Sequence, residues 1–251
     1  MSKKNLREES SAGRDTFGIY ITLSDPTVIE MAAAAGYDFA RIDCEHYLFN
    51  PETLLSMISL ANLVSLPVYV RVSTFSEITK VLEAGADGVI VPHISTREAA
   101  VMAVKMVKFS PLGERGMYNG YRCTRYGQIE AQNYIKEANG NVLLTVQIED
   151  KEGLSNIDEI LSVPGIDMVS SGKADLSQSL GYPGQSNHPD VLKAEEDIIR
   201  KALEYKVQPS LLVGNKERCE HLRTLGAHSF TIARDRNLLM DNMKKRVGQF
   251  L

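Results

Sequence analysis

Two acidic residues follow short apolar runs in the second half of the chain. Glu149 ends the run Val142–Ile148, and Asp175 comes soon after Met168–Ser170. Two carboxylates at neighbouring strand ends, with few histidines nearby, suit a hard divalent cation such as Mg²⁺ or Mn²⁺. Gln147 lies two residues before Glu149, so in a strand both side chains point to one side. The alternative is that Glu149 caps the next helix and Asp175 caps a turn, and the spacing leaves both interpretations open.

A second group of residues suits proton transfer. Asp43, Glu45 and His46 stand together after the apolar run Phe39–Ile42. A carboxylate that holds one imidazole nitrogen leaves the other nitrogen free to exchange protons near neutral pH. The pattern predicts an acid–base pair of Asp43 and His46. The alternatives are a solvated loop histidine and, for Glu45, a surface charge.

An arginine, Arg71, ends the apolar run Pro67–Val70. A buried arginine there needs a partner, because an unpaired buried charge is costly. A bound carboxylate or enolate oxygen would meet this need, and so would a structural bridge to Glu45 or Asp43. His93 follows a further apolar run, and its role is open.

Eight short apolar runs alternate with segments whose apolar residues recur at helical spacing. The predicted strands are Phe17–Ile21, Phe39–Ile42, Val68–Val72, Gly88–Val91, Val142–Ile148, Met168–Ser170, Ser210–Val213 and Phe230–Ala233. This alternation predicts the α/β class and, over 251 residues, a single-domain (β/α)8 TIM barrel. We expect a flexible N-terminal segment over residues 1–15 and the barrel domain over 16–251. An open doubly wound sheet is the alternative, but no G-x-G-x-x-G follows the first strand.

An internal repeat favours the closed barrel. Four tripeptides follow a helical segment and precede a strand: Gly36-Tyr37-Asp38, Gly85-Ala86-Asp87, Gly165-Ile166-Asp167 and Gly226-Ala227-His228. Glycine at this position fits the left-handed residue that ends a helix. The four turns lead into strands two, four, six and eight, as expected for repeated βαβα units. A barrel places its site at the C-terminal ends of its strands, where the candidate residues above fall.

One stretch, Phe109 to Asn139, interrupts the alternation because it contains no clear strand. It holds three arginines and four tyrosines, which are Arg115, Arg122, Arg125, Tyr118, Tyr121, Tyr126 and Tyr134. One interpretation is a surface excursion with a short helix. The other is a loop over the site or at a subunit contact.

The composition argues against several classes of protein. A net charge of −4 gives no electrostatic reason to expect nucleic acid as a partner. Three widely spaced cysteines form neither a disulfide framework nor a CxxC motif, which fits a cytoplasmic location. No run approaches the roughly 18 apolar residues of a membrane span.

Taken together, these residues resemble a known family. The run Ile42-Asp43-Cys44-Glu45-His46 resembles the D-x-E-H signature of the HpcH/HpaI aldolases. Four further stretches match that family in the same order, namely Val70-Arg71, Pro111–Gly116, Val146–Glu149 and Gly172–Ser177. One such motif is weak, but five in order at strand ends, between about Phe17 and Val247, are specific.

The family consists of class II aldolases that handle pyruvate and an aldehyde, so the resemblance implies a role for each residue. Glu149 and Asp175 would ligate a divalent metal ion, Mg²⁺, Mn²⁺ or Co²⁺. Arg71 would contact the keto or enolate oxygen of pyruvate, and His46 with Asp43 would act in acid–base chemistry through water. The residues that would bind or support the substrate are Glu45, Gln147, Gly172, Lys173 and Ala174.

The resemblance also implies a homo-oligomer, a trimer or hexamer, in which a C-terminal helix over Arg236–Val247 is exchanged between subunits. Three features depart from the family pattern. Lys173 replaces a usual proline, Met117–Tyr121 is bulkier than the usual small-residue run, and Glu83 replaces an aspartate often contributed to a neighbouring site. We hypothesise that Lys173 and a tyrosine of the bulky run reshape the aldehyde side. The acceptor aldehyde is therefore open.

The sequence predicts a divalent-metal-dependent carbon–carbon lyase. It would cleave or form a 4-hydroxy-2-oxo acid from pyruvate and an aldehyde. One alternative is a Schiff-base aldolase that uses Lys173. A citrate-lyase-like barrel acting on a CoA thioester is another, and a non-catalytic barrel that binds a 2-oxo acid is the third.

Overall fold

A computed structural model describes residues 3–251. Within this range eight parallel strands close into a barrel in chain order. The strands are β1 (Thr16–Ile21), β2 (Phe39–Asp43), β3 (Val68–Arg71), β4 (Gly88–Val91), β5 (Leu143–Ile148), β6 (Met168–Ser171), β7 (Gln208–Leu212) and β8 (Ser229–Arg234). Each strand overlaps its predicted range, and the predicted (β/α)8 barrel is confirmed.

The helices surround the barrel, and most of them bury apolar side chains against it. They are α1 (Leu6–Ser11), α2 (Thr27–Ala34), α3 (Pro51–Leu63), α4 (Ile78–Glu83), α5 (Arg97–Val107), α6 (Ala131–Asn141), α7 (Lys151–Ser155), α8 (Ile157–Leu161), α9 (Lys173–Ser179), α10 (Pro189–Glu204), α11 (Lys216–Thr224) and α12 (Asp235–Val247). Val191, Ile198 and Ala202 of α10 show the pattern, since all three are fully buried. Each large aliphatic side chain buried in this way stabilises the fold by about 1.5–3 kcal/mol. None of the helices in the described range has the length and apolar content needed to cross a membrane.

The four repeated glycines adopt the left-handed conformation that their positions predicted. Their φ angles are +88°, +103°, +103° and +97° for Gly36, Gly85, Gly165 and Gly226. In three of these turns the aspartate two residues after the glycine accepts a hydrogen bond from a backbone amide at the start of the preceding strand. The pairs are Phe17 to Asp38 at 2.8 Å, Val68 to Asp87 at 2.8 Å and Leu144 to Asp167 at 2.9 Å. The repeat therefore ties neighbouring strands together at the N-terminal end of the barrel.

Within the segment 1–15, for which a flexible end is predicted, the structure describes residues 3–15 and places helix α1 there. Helix α1 lies across the N-terminal end of the barrel, where Leu6 is 1% exposed in a cluster with Phe39, Tyr69, Ile90, Leu143 and Met168. Three basic residues, two just before this helix and one within it, pair with the repeat aspartates. The ion pairs are Lys4 with Asp38 at 2.5 Å, Lys3 with Asp87 at 2.6 Å and Arg7 with Asp167 at 2.6 Å. A polar segment is thus ordered by partners that are distant in sequence.

Helix α6 begins within the stretch between Phe109 and Asn139 and ends just beyond it at Asn141, so a short helix is present, as the first interpretation predicts. Its ends are joined, since Asn139 Oδ1 accepts a hydrogen bond from the Phe109 amide at 2.7 Å. Tyr121 from this stretch also lines a cavity of 590 Å³ together with Tyr47 and Glu83. The stretch therefore reaches the loop that follows β2.

Candidate active site

Strands β2 and β3 place a charged pair at the C-terminal rim of the barrel. The Asp43 carboxylate accepts hydrogen bonds from Arg71 Nε at 2.9 Å and from Nη2 at 2.6 Å. Arg71 Nη1 lies 3.0 Å from Glu45 Oε2. Burial acts to lower the pKa of Arg71, but Tyr20 and the two carboxylates outweigh it and hold that pKa above its ordinary value. Arg71 thus has the structural bridge that the sequence offered as one of two possibilities, and it is fixed in one orientation.

His46 is placed differently from its prediction. Asp43 Oδ1 accepts hydrogen bonds from the backbone amides of Glu45 at 3.2 Å and His46 at 3.4 Å. The His46 ring is instead 3.7 Å from Glu45 Oε2, and its side chain is 51% exposed. Because Arg71 occupies the Asp43 carboxylate, Asp43 shapes the loop that carries His46 and does not hold its ring.

Three residues from the ends of β2, β4 and β5 form what we call the acidic cluster, namely Glu45, His93 and Glu149. Their candidate ligand atoms all lie within 4.8 Å of one another. Glu149 Oε1 accepts a hydrogen bond from the His93 amide at 2.6 Å and lies 2.8 Å from His93 Nδ1. His93 Nε2 lies 3.0 Å from Glu45 Oε1. Gln147 donates to Glu149 Oε2, so the predicted pairing of Gln147 with Glu149 on one side of β5 is present.

The acidic cluster has an excess of negative charge. Burial raises the pKa of the Glu149 carboxyl above its ordinary value, and Glu45 adds to this while hydrogen bonds from Gln147 and His93 oppose it. Glu45 Oε2 is buried without a hydrogen-bond partner in the described part of the chain, although Arg71 is close enough for an ion pair. A cation would relieve both conditions. Two carboxylates and an imidazole are donors that fit a divalent metal ion.

His93 is a site residue whose role the sequence left open. Its φ of +55° lies in the left-handed region, which costs a residue with a side chain about 1–2 kcal/mol. Strain of this kind is concentrated at functional sites. Here it directs both the amide and the ring of His93 to Glu149. The only sequence signal was a histidine directly after a strand.

The turn between β6 and α9 packs against the acidic cluster. A methyl group at Gly172 would overlap the Glu149 carboxylate, so only glycine fits there. The next residue, Lys173, has its ammonium 3.3 Å from Glu195 Oε2, and Glu195 is fully buried. Ser171 donates to the same carboxylate at 2.8 Å. Lys173 therefore has a structural partner beside the site.

Asp175 lies half-buried in the first turn of α9, and Ala174 beside it is exposed. The acidic cluster joins Glu149 to Glu45 and His93 and does not include Asp175. Over residues 3–251 the Asp175 carboxylate has neither a hydrogen bond nor an ion pair. Its role as a second metal ligand stays a prediction.

The barrel and its carboxylate-rich rim define the class: a single-domain (β/α)8 enzyme whose candidate site lies at the C-terminal strand ends. Residues 16–242 match the HpcH/HpaI aldolase/citrate lyase family. The chain is 36% identical to the hydroxypyruvate/pyruvate aldolase of Sagittula stellata over 84% of each chain. It is 33% identical to the 2-keto-3-deoxy-L-rhamnonate aldolase of Escherichia coli, covering 98% of this chain and 92% of that one. The chain belongs to the HpcH/HpaI aldolase/citrate lyase family.

Solved structures agree with this assignment. An HpcH/HpaI aldolase from Desulfitobacterium hafniense superposes with a TM-score of 0.91 at 28% identity, covering 98% of this chain and 96% of that one. The citrate synthase SbnG gives a TM-score of 0.89 at 32% identity with the same coverage. The predictions of the family, the barrel and an aldolase-type carbon–carbon lyase are confirmed.

Proposed function

We propose that this chain is a divalent-metal-dependent aldolase that cleaves or forms 4-hydroxy-2-oxo acids from pyruvate and an aldehyde. The observation that carries the proposal is the acidic cluster beside the fixed Arg71. It gathers unbalanced carboxylates next to a cation that can contact a keto oxygen. Relatives named as aldolases, one of them for pyruvate, support the substrate class.

The metal ion would be held by Glu149 together with Asp175, with Glu45 and His93 within reach of Glu149. When bound, a divalent ion would polarise the keto group of pyruvate as a Lewis acid. Mg²⁺, Mn²⁺ and Co²⁺ are the candidates. The carboxylates and the imidazole of the acidic cluster support Glu149 as a ligand, whereas Asp175 is proposed from the family resemblance alone.

The remaining roles belong to the chain's own residues. Arg71 would donate to the keto oxygen as negative charge develops there, and Asp43 positions it in advance, which favours the transition state. The turn at Gly172 would receive the pyruvate carboxylate. Gln147 orients the Glu149 carboxylate. The exposed His46 would exchange a proton with the 4-hydroxyl of the substrate through water.

A homo-oligomer, a trimer or hexamer, is part of the proposal. Helix α12 exposes a row of apolar side chains, which are Leu238, Leu239, Met240, Met243 and Val247. Exposed apolar surface of this kind is typical of an interface, and it supports the predicted exchange of this helix. Light scattering on the double variant Leu239→Ser, Met243→Ser should show a smaller particle than the parent. The free thiols of Cys44, Cys123 and Cys219 fit the proposed cytoplasmic location.

Exchange of the pyruvate methyl protons with deuterium tests the proposal without any acceptor. We expect NMR to show exchange that EDTA abolishes and Mg²⁺, Mn²⁺ or Co²⁺ restores. Full exchange in chelator would contradict metal dependence, and borohydride trapping of pyruvate on Lys173 would then favour a Schiff-base aldolase.

Two further outcomes would point to a different substrate or to a barrel without catalysis. Exchange in an acyl-CoA and not in pyruvate would favour a CoA thioester as substrate. Tight binding of metal and oxalate, with no exchange and no turnover over a broad panel of aldehydes, would favour a non-catalytic barrel.

A further inference from the structure

Strand β8 changes which of its residues face the barrel interior. Where β8 pairs with β1, Thr231 and Ala233 have partners on β1, but Ile232 between them has none. The Ile232 side chain is 44% exposed. Such a bulge shifts the alternation of side chains by one residue. Arg234 thereby becomes the register partner of Tyr20. Its guanidinium carbon lies 5.5 Å from the centre of the Tyr20 ring.

The Tyr20 ring connects Arg234 to the candidate active site. Arg71, which would contact pyruvate, also lies over this ring, with its guanidinium carbon 5.4 Å from the ring centre. Tyr20 itself is only 5% exposed, so its ring is held in place by the surrounding core. Arg234 and Arg71 are therefore neighbours of the same aromatic ring at the rim.

A third arginine makes this region strongly cationic. Arg41 lies 5.7 Å from the Tyr20 ring centre and is 2% exposed. It donates to Ser210, but its Nε and Nη1 have no hydrogen-bond partner within residues 3–251. The local positive charge around Tyr20 is therefore only partly neutralised.

Arg234 differs from Arg71 in its lack of an acidic partner. Arg71 is balanced by Asp43 and Glu45. No carboxylate of the described chain lies within ion-pair distance of the half-buried Arg234. A cation held near two others, in a partly desolvated place, is costly unless an anion joins it. A guanidinium is also the side chain best suited to bind a carboxylate or phosphate through two parallel hydrogen bonds.

We propose that Arg234, positioned by the β8 bulge and the Tyr20 ring, binds an anionic group on the acceptor half of the substrate. The preferred acceptor is then an aldehyde or 2-oxo acid that carries a carboxylate or a phosphate. This inference rests on the proposed aldolase function and assigns Arg234 to substrate selection. Bond cleavage itself does not require this residue.

The test compares acceptors that differ only in the anionic group. Succinic semialdehyde is paired with butanal, and glyceraldehyde 3-phosphate with glyceraldehyde, in aldol addition to pyruvate. The parent should prefer the charged member of at least one pair, and the pair that responds distinguishes a carboxylate from a phosphate. Arg234→Val should lower kcat/KM for that acceptor by roughly 10- to 150-fold, as for loss of a hydrogen bond to a charged group. The neutral acceptor should change less than about threefold.

Three controls make the result specific. Arg234→Lys keeps the charge and should retain part of the preference. Arg200→Val makes the same change on α10, where Arg200 is 51% exposed, and should leave the preference intact. Exchange of the pyruvate methyl protons involves no acceptor and should proceed in Arg234→Val as in the parent.

The outcomes separate this inference from the function it rests on. Equal losses on charged and neutral acceptors, or a loss of methyl exchange in Arg234→Val, would give Arg234 a structural role and overturn the inference. An unchanged acceptor profile would overturn it as well. Absence of methyl exchange in the metal-loaded parent would instead contradict the proposed function.

Discussion

The two ends of the barrel hold their charges in opposite ways. At the N-terminal end, each of the three aspartates of the glycine turns forms an ion pair with a basic residue of the N-terminal segment. Asp167 also pairs with Lys108, whose ammonium lies 2.7 Å from the Asp167 carboxylate. At the C-terminal end Glu45 and Glu149 share His93, and no carboxylate of the described chain lies within ion-pair distance of Arg234. Charges that are balanced within the chain stabilise the fold. Charges that are left unbalanced at one rim are available to a ligand.

Both arrangements follow from burial. An isolated charge that leaves water loses several kcal/mol of hydration, so it needs a partner from the chain or from a bound molecule. The N-terminal end supplies that partner permanently, because α1 closes it. The C-terminal rim remains open, so its partner can arrive and leave with the reaction. Substitutions at the two ends should therefore separate stability from activity.

The largest expected effect is on activity, from Glu149→Gln at the C-terminal rim. An amide is uncharged and binds a divalent ion weakly. Loss of a residue that only supports a metal ligand lowers activity roughly 10- to 100-fold. Loss of the ligand Glu149 should lower the rate of pyruvate methyl exchange by more than this. The free energy of unfolding of the metal-free protein should not decrease, because a poorly solvated carboxylate is removed. Glu152→Gln makes the same change on an exposed residue of α7 and should keep full exchange. Retained exchange in Glu149→Gln would remove the basis for the proposed metal site.

The next effect is on stability, from Asp167→Ala at the N-terminal end. Lys108 is 1% exposed and would lose the carboxylate that neutralises it. Removing one partner of a buried pair costs about 3–5 kcal/mol in the free energy of unfolding, which urea denaturation measures. Asp158→Ala removes an exposed pair with Lys201 and should cost less than about 1 kcal/mol. A changed rate of methyl exchange in the folded Asp167 variant would contradict the division between the two ends.

The fold could be predicted from the sequence because its signals are local. Each strand is a short apolar run, and each repeated glycine stands where a helix must end in a left-handed residue. These features depend on neighbours within a few positions. All eight strands and all four glycine turns are therefore predictable from the sequence.

The site was only partly predictable, because its geometry depends on distant residues. The closeness of Asp43 and His46 in the sequence predicts a hydrogen bond between the Asp43 carboxylate and the His46 ring. In the structure that carboxylate instead accepts hydrogen bonds from Arg71, which lies 28 residues later. His93 and Arg234 each follow a predicted strand, but the left-handed residue and the strand bulge that orient them are not revealed by any spacing in the sequence. The order of α1 likewise depends on partners such as Asp167, which lies 160 residues from Arg7.

The smallest expected effect is a pH dependence at Asp87, which tests whether balance at the N-terminal end is complete. Burial raises the pKa of Asp87 above its ordinary value of 3.8, although Lys3 and the Val68 amide act to lower it. The folded protein therefore holds this proton more tightly than the unfolded chain. The stability that this adds is complete below the ordinary pKa and is lost as pH rises through the folded pKa.

Asp87→Asn cannot titrate and provides the reference. As pH rises above the ordinary pKa of 3.8, the free energy of unfolding of the parent should fall relative to this variant, by less than the loss in Asp167→Ala. Urea denaturation at several pH values measures the difference. A difference that rises with pH would mean that Lys3 more than offsets the burial of Asp87. In that case the charge of each of the three aspartates at this end would be fully neutralised by its basic partner. The two ends of the barrel would then differ more in charge neutralisation than the structure indicates.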